Sequence, residues 1–528
     1  MRAIVLVLVM ACSVQAQASP PSPQISLKAG VLQGMHSGAT GTQSVFLGIP
    51  YASPPVGYLR WRPPRPPAAW SGTRSASHYG PACPQLPAKW LPYPTWNEDC
   101  LYLNVWTPEL SAKARLPVIV YFHGGSNQAG YSQLTPLGSA LSSMGVVTVT
   151  VNYRLGPMGF LALPALTAES PHHTSGNYGL LDQIAALRWV RENIARFGGD
   201  SRRITAMGQS AGAVDICLLM TSALARGSFQ RAIMESGDCQ GTVNEDIRAS
   251  IPYNGLSDSG EGAGKRLAAD LGIGYGSEAL RALRAIPIAT ILKAWSSDQT
   301  IHFGAIVDGW VVPDQPSKIF AEGRQARVPV LAGSNADEAT VLAPGPTTVG
   351  EYKQYLREDT GTYAQQEFAT WPVLSDAQVS QQYAQLRSDT FAYGAWSMGR
   401  AMTRIGEPAW LYRFTWAQSG PRRRLGAYHG EELSFLGNEY PSNWGSSGGD
   451  AAFGETLRQY WTNFAKTGDP NRAGHPEWPR YDLRANQIQE LGQQIHTVPA
   501  SPKLLRLENI MRPILASRVD DLPNQVRR

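Results

Sequence analysis

The chain has 528 residues, a length that permits up to about three domains, and 43% of its residues are hydrophobic, which is ordinary for a globular protein. Lys and Arg number 46 against 41 Asp and Glu, so the formal net charge is only +5. This near balance, without a long basic run, argues against nucleic-acid binding and polybasic membrane binding. The three arginines at 422–424 are expected in a solvated loop.

The N-terminus is organised like a secretory signal peptide over residues 1–18. A short basic start precedes an apolar core at 3–11, and small-residue cleavage sites follow at Ala16 and Ala18. The core is too short to span a membrane, and the residues around Cys12 fit a lipid-attachment motif poorly. We therefore expect a secreted or periplasmic protein without stable membrane insertion.

Export permits disulfides, and four cysteines follow the signal peptide. Cys83 and Cys100 bracket a loop rich in proline and tryptophan and are the expected pair. Cys217 and Cys239 are expected to remain free thiols. No Cys/His spacing resembles a metal site.

Hydrophobic patterns then predict the elements in chain order. Residues 19–30 are expected to be a disordered leader, and short alternating segments up to residue 50 predict antiparallel strands at a sheet edge. Further strands are predicted at 101–106, 116–122, 146–151, 203–207, 231–236, 328–333 and 409–415. Helices are predicted over 177–197, 261–271, 277–293, most of 350–410, and 453–466, with short strand-like pieces finishing the chain.

Strands that alternate with helices indicate an α/β fold with a mostly parallel, doubly wound central sheet covered on both faces. The continuously apolar run at 116–122 is typical of a strand buried on both sides. No composition break between 100 and 480 marks a linker. We expect one large domain over residues 19–528, with helical insertions that form a cap.

The sequence Gly-Gln-Ser-Ala-Gly at 208–212 joins a predicted strand to an apolar helix, which is the context of a nucleophile elbow. Flanking glycines allow the sharp turn that leaves the Ser210 hydroxyl exposed. Because the chain has 52 glycines, the pattern arises by accident in about one such chain in three. The assignment of Ser210 as a nucleophile therefore requires that the chain also contain a base, an acid and oxyanion donors.

A serine nucleophile needs a base, an acid that orients the base, and donors for an oxyanion. In α/β-hydrolases the order along the chain is Ser, Asp or Glu, His. Of the histidines late enough in the chain, His429 lies in a loop after a core strand, whereas His475 and His496 are weaker candidates. Asp337 and Glu338 follow another core strand, and either could be the acid.

The oxyanion donors are predicted in His-Gly-Gly-Ser at 123–126, which directly follows a core strand. Backbone N–H groups of Gly125 and Ser126 can supply two donors, and Ala211, just after the nucleophile, a third. Three distant segments thus agree on one chemistry.

Further motifs occur in the same order along the chain: Glu-Asp-Cys-Leu-Tyr-Leu-Asn at 98–104, Asn-Tyr-Arg-Leu-Gly at 152–156, Phe-Gly-Gly-Asp at 197–200 and Tyr-His-Gly-Glu-Glu at 428–432. With them the chain resembles the type-B carboxylesterase/lipase family of para-nitrobenzyl esterases, carboxylesterases and cholinesterases. The resemblance covers about residues 27–485. It implies an α/β-hydrolase fold, a Ser210–His429–Glu338 triad with Glu338 rather than Asp337 as the acid, and a Cys83–Cys100 disulfide.

Three features depart from the family pattern. One is the Cys83–Cys100 loop, which is short by cholinesterase standards, so that neither Trp90 nor Trp96 is assigned to choline stacking. Ser126 stands where many members have Gly or Ala, and Asn127 stands where an aromatic residue is common. Gln209 replaces the glutamate that adds negative charge to the gorge of cholinesterases. Choline esters are therefore not expected as substrates.

The resulting hypothesis is a secreted serine carboxylesterase that cleaves small-molecule esters through an acyl-enzyme, without a cofactor. A lipase acting at lipid interfaces is one alternative, and a non-catalytic adhesion or binding module is another. Aromatic residues at 90, 96, 310, 396, 416 and 444 either line the substrate pocket or fill the core.

Overall fold

The fold was obtained as a computed structural model. It describes residues 21–520 apart from 38–42, 90, 241–245, 249–258, 275, 299, 343 and 439–447. The strands are β1 Gln24–Leu27, β2 Gly30–Gln33, β3 Met35–Ser37, β4 Gln43–Pro50, β5 Thr73–Ser75, β6 Tyr102–Thr107, β7 Leu116–Phe122, β8 Val147–Val151, β9 Gly199–Gln209, β10 Arg231–Glu235, β11 Val330–Asn335, β12 Ala409–Phe414, β13 Gln487–Leu491 and β14 Ile495–Pro499.

The α-helices of the described residues alternate with these strands. They are α1 Leu137–Ser142, α2 Gly156–Phe160, α3 Pro164–Glu169, α4 Tyr178–Asn193, α5 Ala211–Thr221, α6 Gly260–Asp270, α7 Ser277–Ala285, α8 Ile288–Ser297, α9 Pro316–Ala321, α10 Val349–Thr360, α11 Ala364–Thr370, α12 Asp376–Arg404, α13 Glu432–Gly437, α14 Gly448–Thr467 and α15 Pro502–Asp520. None of the described helices is long and apolar enough to cross a membrane.

Within the described residues, the main sheet has eleven strands in the order β14-β13-β12-β11-β10-β9-β7-β8-β6-β4-β3. Its centre, from β8 through β13, is parallel, and antiparallel pairs form both ends. The predicted mostly parallel α/β architecture is therefore confirmed. The carboxyl ends of the parallel strands lie at one edge, where the loops that carry polar side chains meet.

The sheet is covered on both faces because alternate residues of its strands point to opposite sides. On β7, Val118, Val120 and Phe122 join a core with residues of α4 and α5, whereas Ile119 and Tyr121 join a second core with residues of α1 and α14. All five side chains are buried. The continuous apolar run of this strand is thus explained by its two buried faces.

Both ends of the described chain are more ordered than predicted. The expected disordered leader at 19–30 contains β1, which pairs with β2 in a separate small sheet and buries Ile25. The strand-like pieces predicted after residue 466 are present as β13 and β14, but the described chain continues beyond them into α15, which was not predicted and packs against α11 and α12. Its buried side chains recur at helical spacing: Leu504, Leu507, Ile510, Met511 and Ile514.

All four cysteines of the described residues are paired. Cys83 and Cys100 form a disulfide with a Cα–Cα distance of 5.0 Å. The expectation of free thiols at Cys217 and Cys239 is wrong, because these residues also form a disulfide, with Cα atoms 5.7 Å apart. The segment after β10 folds back across the start of α5, so a Cβ added at Gly237 would lie 2.4 Å from the carbonyl oxygen of Ser210.

The Cys217–Cys239 disulfide is expected to stabilise the fold. Replacing both residues with alanine should lower the free energy of unfolding by about 3 kcal/mol, because the bond spans 22 residues and restricts the unfolded chain. The measurement is urea unfolding of the wild type and the double variant. In reductant the difference should disappear, and equal stabilities under oxidising conditions would contradict the expectation.

Candidate active site

Ser210 occupies a strained turn between β9 and α5. Its φ of 55° and ψ of −124° place a non-glycine residue in a sparsely populated region of the backbone map. The chain passes close to itself here, because a Cβ added at Gly212 would lie 2.1 Å from the carbonyl oxygen of Phe122. The neighbouring strand holds the turn, since the Ser210 N–H donates to the carbonyl oxygen of Glu235 at 2.8 Å. The predicted strand–turn–helix context is present.

The structure brings His429 and Glu338 together from two loops. Glu338 begins a 3₁₀ turn just after β11, and His429 lies between β12 and α13. Because β11 and β12 are parallel neighbours, both loops emerge at the same edge of the sheet. His429 Nδ1 lies 2.6 Å from Glu338 Oε2, and the other carboxylate oxygen accepts the N–H of Asn335 at 2.7 Å.

The environment of this pair favours a charged imidazole. Glu338 is fully buried, and His429 is largely shielded from solvent. Burial lowers the pKa of His429, but the charge and hydrogen bond of Glu338, with a further contribution from Glu432, outweigh it and raise that pKa above 6.5. In the neutral imidazole, donation from Nδ1 to Glu338 leaves Nε2 as the acceptor.

The Nε2 atom of His429 contacts the side chain of Gln209, the residue before Ser210. Gln209 Nε2 lies 3.2 Å from His429 Nε2, so the amide donates to the imidazole. Among the described residues, Ser210 Oγ makes no hydrogen bond. The imidazole therefore sits beside the nucleophile turn but is bonded to Gln209.

The loop at 123–126 lies directly against this turn. A Cβ added at Gly124 would be 2.9 Å from the Cβ of Ser210. Gly125, Ser126 and Asn127 have successive positive φ angles of 114°, 58° and 58°. Within the described part of the chain, the N–H groups of Gly125, Ser126 and Ala211 have no hydrogen-bond acceptor. Three backbone donors thus remain available near Ser210.

His123, at the start of this loop, is not placed for acid–base chemistry. Burial lowers its pKa to about 4, so it stays neutral near pH 7. Its Nδ1 lies 2.9 Å from the carbonyl oxygen of Gly124, and its ring stacks on Tyr153 at 4.5 Å. These contacts fix the shape of the loop.

The alternatives left open by the sequence occupy other places. Asp337 Oδ2 accepts the N–H of Ala427 at 2.9 Å, so Asp337 holds the loop before His429 rather than the imidazole. His475 packs beside Tyr460, and His496 is exposed on β14.

Asn335 is a supporting residue that the sequence analysis did not single out. Its side-chain amide donates to the carbonyl oxygen of Tyr428 at 2.7 Å and also to the carboxylate of Glu432. It therefore ties the end of β11 to the loop that carries His429. The feature of the sequence that could have indicated Asn335 is its position as a polar residue at the end of the apolar strand β11.

The aromatic residues divide between core and surface. Trp396 is buried and donates to Asn486, and Trp416 stacks on Phe453 at 4.3 Å in the second core. Trp310 stacks on His172 at 3.8 Å, and Trp96 donates to the hydroxyl of Tyr93. Residues 90 and 444 lie outside the described residues.

Comparison with known proteins agrees with this fold. The carboxylesterase family matches residues 21–508. Fumonisin B1 esterase of Sphingopyxis macrogoltabida is 38% identical over 92% of this chain and 89% of its own length. Para-nitrobenzyl esterase of Bacillus subtilis (strain 168) is 34% identical, with 87% and 94% covered. A solved PNB esterase structure superposes with a TM-score of 0.78 at 30% identity, covering 92% of this chain and 99% of its own.

The fold is therefore that of the α/β-hydrolases, and the activity class is carboxylic ester hydrolysis. The chain belongs to the carboxylesterase family. The family resemblance read from the motifs is confirmed.

Proposed function

We propose that the chain is an exported serine esterase in which Ser210 is the nucleophile, His429 the base and Glu338 the orienting acid. The observation that carries the proposal is the 2.6 Å contact between His429 Nδ1 and the buried carboxylate of Glu338. The other ring nitrogen, Nε2, lies beside the turn that carries Ser210, where it contacts Gln209. We further propose Gly125, Ser126 and Ala211 as the oxyanion donors.

The reaction follows from these positions. Ser210 Oγ attacks the ester carbonyl carbon while His429 Nε2 takes its proton, and the new imidazolium is stabilised by Glu338. The carbonyl oxygen becomes an oxyanion near the N–H groups of the 123–126 loop and of Ala211. His429 then protonates the leaving alcohol, and water hydrolyses the acyl-enzyme by the same steps. The route uses no cofactor.

This mechanism requires Gln209 to release the imidazole. In the structure its amide occupies the Nε2 lone pair that must accept the serine proton. Rotation of this side chain on substrate binding frees His429 for Ser210, in keeping with the loose catalytic hydrogen bonds of unliganded hydrolases.

The cellular location is part of the same proposal. Residues 1–18 act as a signal peptide, and the remaining chain forms one domain outside the cytoplasm. Two disulfides support an oxidising compartment. The names of its relatives make p-nitrobenzyl esters and fumonisin B1 rational first substrates.

Covalent trapping tests the nucleophile. A fluorophosphonate probe should add to Ser210 alone, as located by mass spectrometry of peptides, and should stop turnover in proportion to labelling. A burst of p-nitrophenolate would report the acyl-enzyme. Labelling elsewhere, with Ser210 unmodified, would contradict the assignment.

A substrate panel tests the class. We expect hydrolysis of dissolved p-nitrophenyl esters of short acyl chains, with fumonisin B1 and emulsified long-chain esters assayed alongside. Activity confined to emulsions would favour the lipase alternative. Failure to hydrolyse or react with any ester would favour the binding module.

A further inference from the structure

A buried carboxyl group that the triad does not use lies behind the oxyanion loop. Asp215 is on α5, five residues after Ser210, and is completely buried. Asn127 Nδ2 donates to its Oδ1 at 2.8 Å, and Gln183 Nε2 donates to its Oδ2 at 2.6 Å. Among the described residues, no cation pairs with it.

Such a group is costly to keep. Burial raises the pKa of Asp215 to about 7, although both amide hydrogen bonds act to lower it. A buried carboxyl without a cationic partner destabilises a fold, and an apolar side chain of similar size would usually serve packing better. Its neighbours on α5, from Ile216 to Met220, are all apolar and buried. The polar group therefore needs an explanation other than packing.

The partner of Asp215 sits in an unfavourable conformation. Asn127 follows Gly125 and Ser126 in a run of three positive φ angles, and two of these residues are not glycine. Asparagine tolerates positive φ angles better than most residues, but its own preference does not hold the backbone in that conformation. The main chain is held as well, because the N–H of Gly156 donates to the Asn127 carbonyl oxygen at 2.7 Å.

The two ends of this contact belong to the two halves of the oxyanion site. Asn127 directly follows the donors Gly125 and Ser126, whereas Asp215 lies one turn along the helix that begins with Ala211. The bond from Asn127 to Asp215 thus links the loop donors to the helix donor. Gln183, from α4, occupies the second carboxyl oxygen and keeps the group oriented.

We propose that Asp215, Asn127 and Gln183 form a clamp of positioning residues that sets the oxyanion loop at its working distance from Ser210. This inference rests on the proposed oxyanion donors. Among the described residues, none of the three side chains is hydrogen-bonded to Ser210 or His429, so the clamp acts through the backbone of the loop. Its loss changes transition-state binding more than substrate binding.

The test compares Asn127→Ala with Asp215→Asn. Asn127→Ala should lower kcat for p-nitrophenyl acetate by about 10- to 100-fold with little change in KM. Displaced oxyanion donors destabilise the transition state more than the bound substrate. Affinity for a trifluoromethyl ketone, which forms a tetrahedral adduct, should fall by a similar factor. Asp215→Asn should stay within about threefold of wild type.

The near-neutrality of Asp215→Asn has a structural reason. The new side chain keeps an acceptor for Asn127, and the Gln183 amide can turn to present Oε1. That oxygen makes no hydrogen bond among the described residues. Retained activity in this variant, beside loss in Asn127→Ala, separates hydrogen-bond geometry from charge.

Asn471→Ala is the matched control. Asn471 also fixes a loop through its carboxamide. Its Nδ2 donates to the carbonyl oxygen of Trp478 at 2.9 Å, and its Oδ1 accepts the backbone N–H of Trp478 at 2.7 Å. Its loop follows α14 at the opposite edge of the sheet, where Arg203 donates to the carbonyl oxygen of Lys466. The control should lower stability without a selective loss of kcat or inhibitor affinity.

Gln183→Met provides a second readout if Asn127→Ala does not fold, with an expected severalfold loss of kcat and the same inhibitor signature. Unchanged kcat and inhibitor affinity in both Asn127→Ala and Gln183→Met would overturn the clamp. Losses of activity that are explained by lower thermal stability, as expected for Asn471→Ala, would also overturn it. Failure of the proposed function looks different, because the wild type itself would then resist fluorophosphonate labelling at Ser210.

Discussion

Ser210→Ala is expected to reduce kcat/KM for p-nitrophenyl esters by about 10⁴-fold or more, because no other group can form the acyl-enzyme. The fold should be unaffected. Alanine keeps the Cβ that the turn at φ 55° already accommodates, and Ser210 Oγ has no hydrogen bond to lose among the described residues. The change in unfolding free energy should therefore stay within about 0.5 kcal/mol.

Ser236→Ala is the control for this substitution. Ser236 has a φ of 51° and follows the neighbouring strand β10, and its buried hydroxyl makes no hydrogen bond in the described structure. The two variants thus remove the same atom from residues with similar positive φ angles directly after adjacent strands. Steady-state kinetics should separate them by orders of magnitude, and near-normal turnover by Ser210→Ala would refute the nucleophile assignment.

Glu338→Gln should lower kcat/KM by about 10⁴-fold, because an amide can donate to His429 Nδ1 and stabilise the wrong tautomer. It should also change the pH profile. In the wild type the base works only when neutral, so activity falls as pH drops through the His429 pKa, which lies above 6.5. Without the Glu338 charge, burial lowers that pKa and the acidic limb moves to lower pH.

Asp337→Asn is the control that distinguishes the two adjacent carboxylates. Its side chain can still accept the Ala427 N–H, so both kcat/KM and the acidic limb should remain close to wild type. The measurement is kcat/KM from pH about 5 to 9 for the three proteins. If Asp337→Asn carried the large loss and Glu338→Gln did not, the acid would be misassigned.

Much of this architecture could be predicted from the sequence because it depends on local pattern. The apolar run of β7 indicates burial on two faces, and the polar residues of the site lie in the turns and loops that follow the predicted strands β9, β11 and β12. The pairing of Glu338 with His429 then follows from parallel strand order. The choice between Asp337 and Glu338 came from the family resemblance, because both residues lie on the same loop.

Features set by contacts between distant segments could not be predicted in this way. The Cys217–Cys239 bond depends on how the chain after β10 turns back over α5. The contact between Asn127 and Asp215 joins residues 88 positions apart. An acidic residue in an apolar helix was visible in the sequence, but its partner depends on where the loop after β7 crosses that helix.

The disulfide pattern has a consequence for biosynthesis. After residue 18, the first cysteine of the chain bonds to the second, and the third to the fourth. If the chain is exported through a translocon from its N-terminus, as we propose, each thiol meets its native partner before the next pair emerges. Sequential oxidation then gives the correct connectivity directly, without the thiol–disulfide reshuffling that interleaved or nested pairs require.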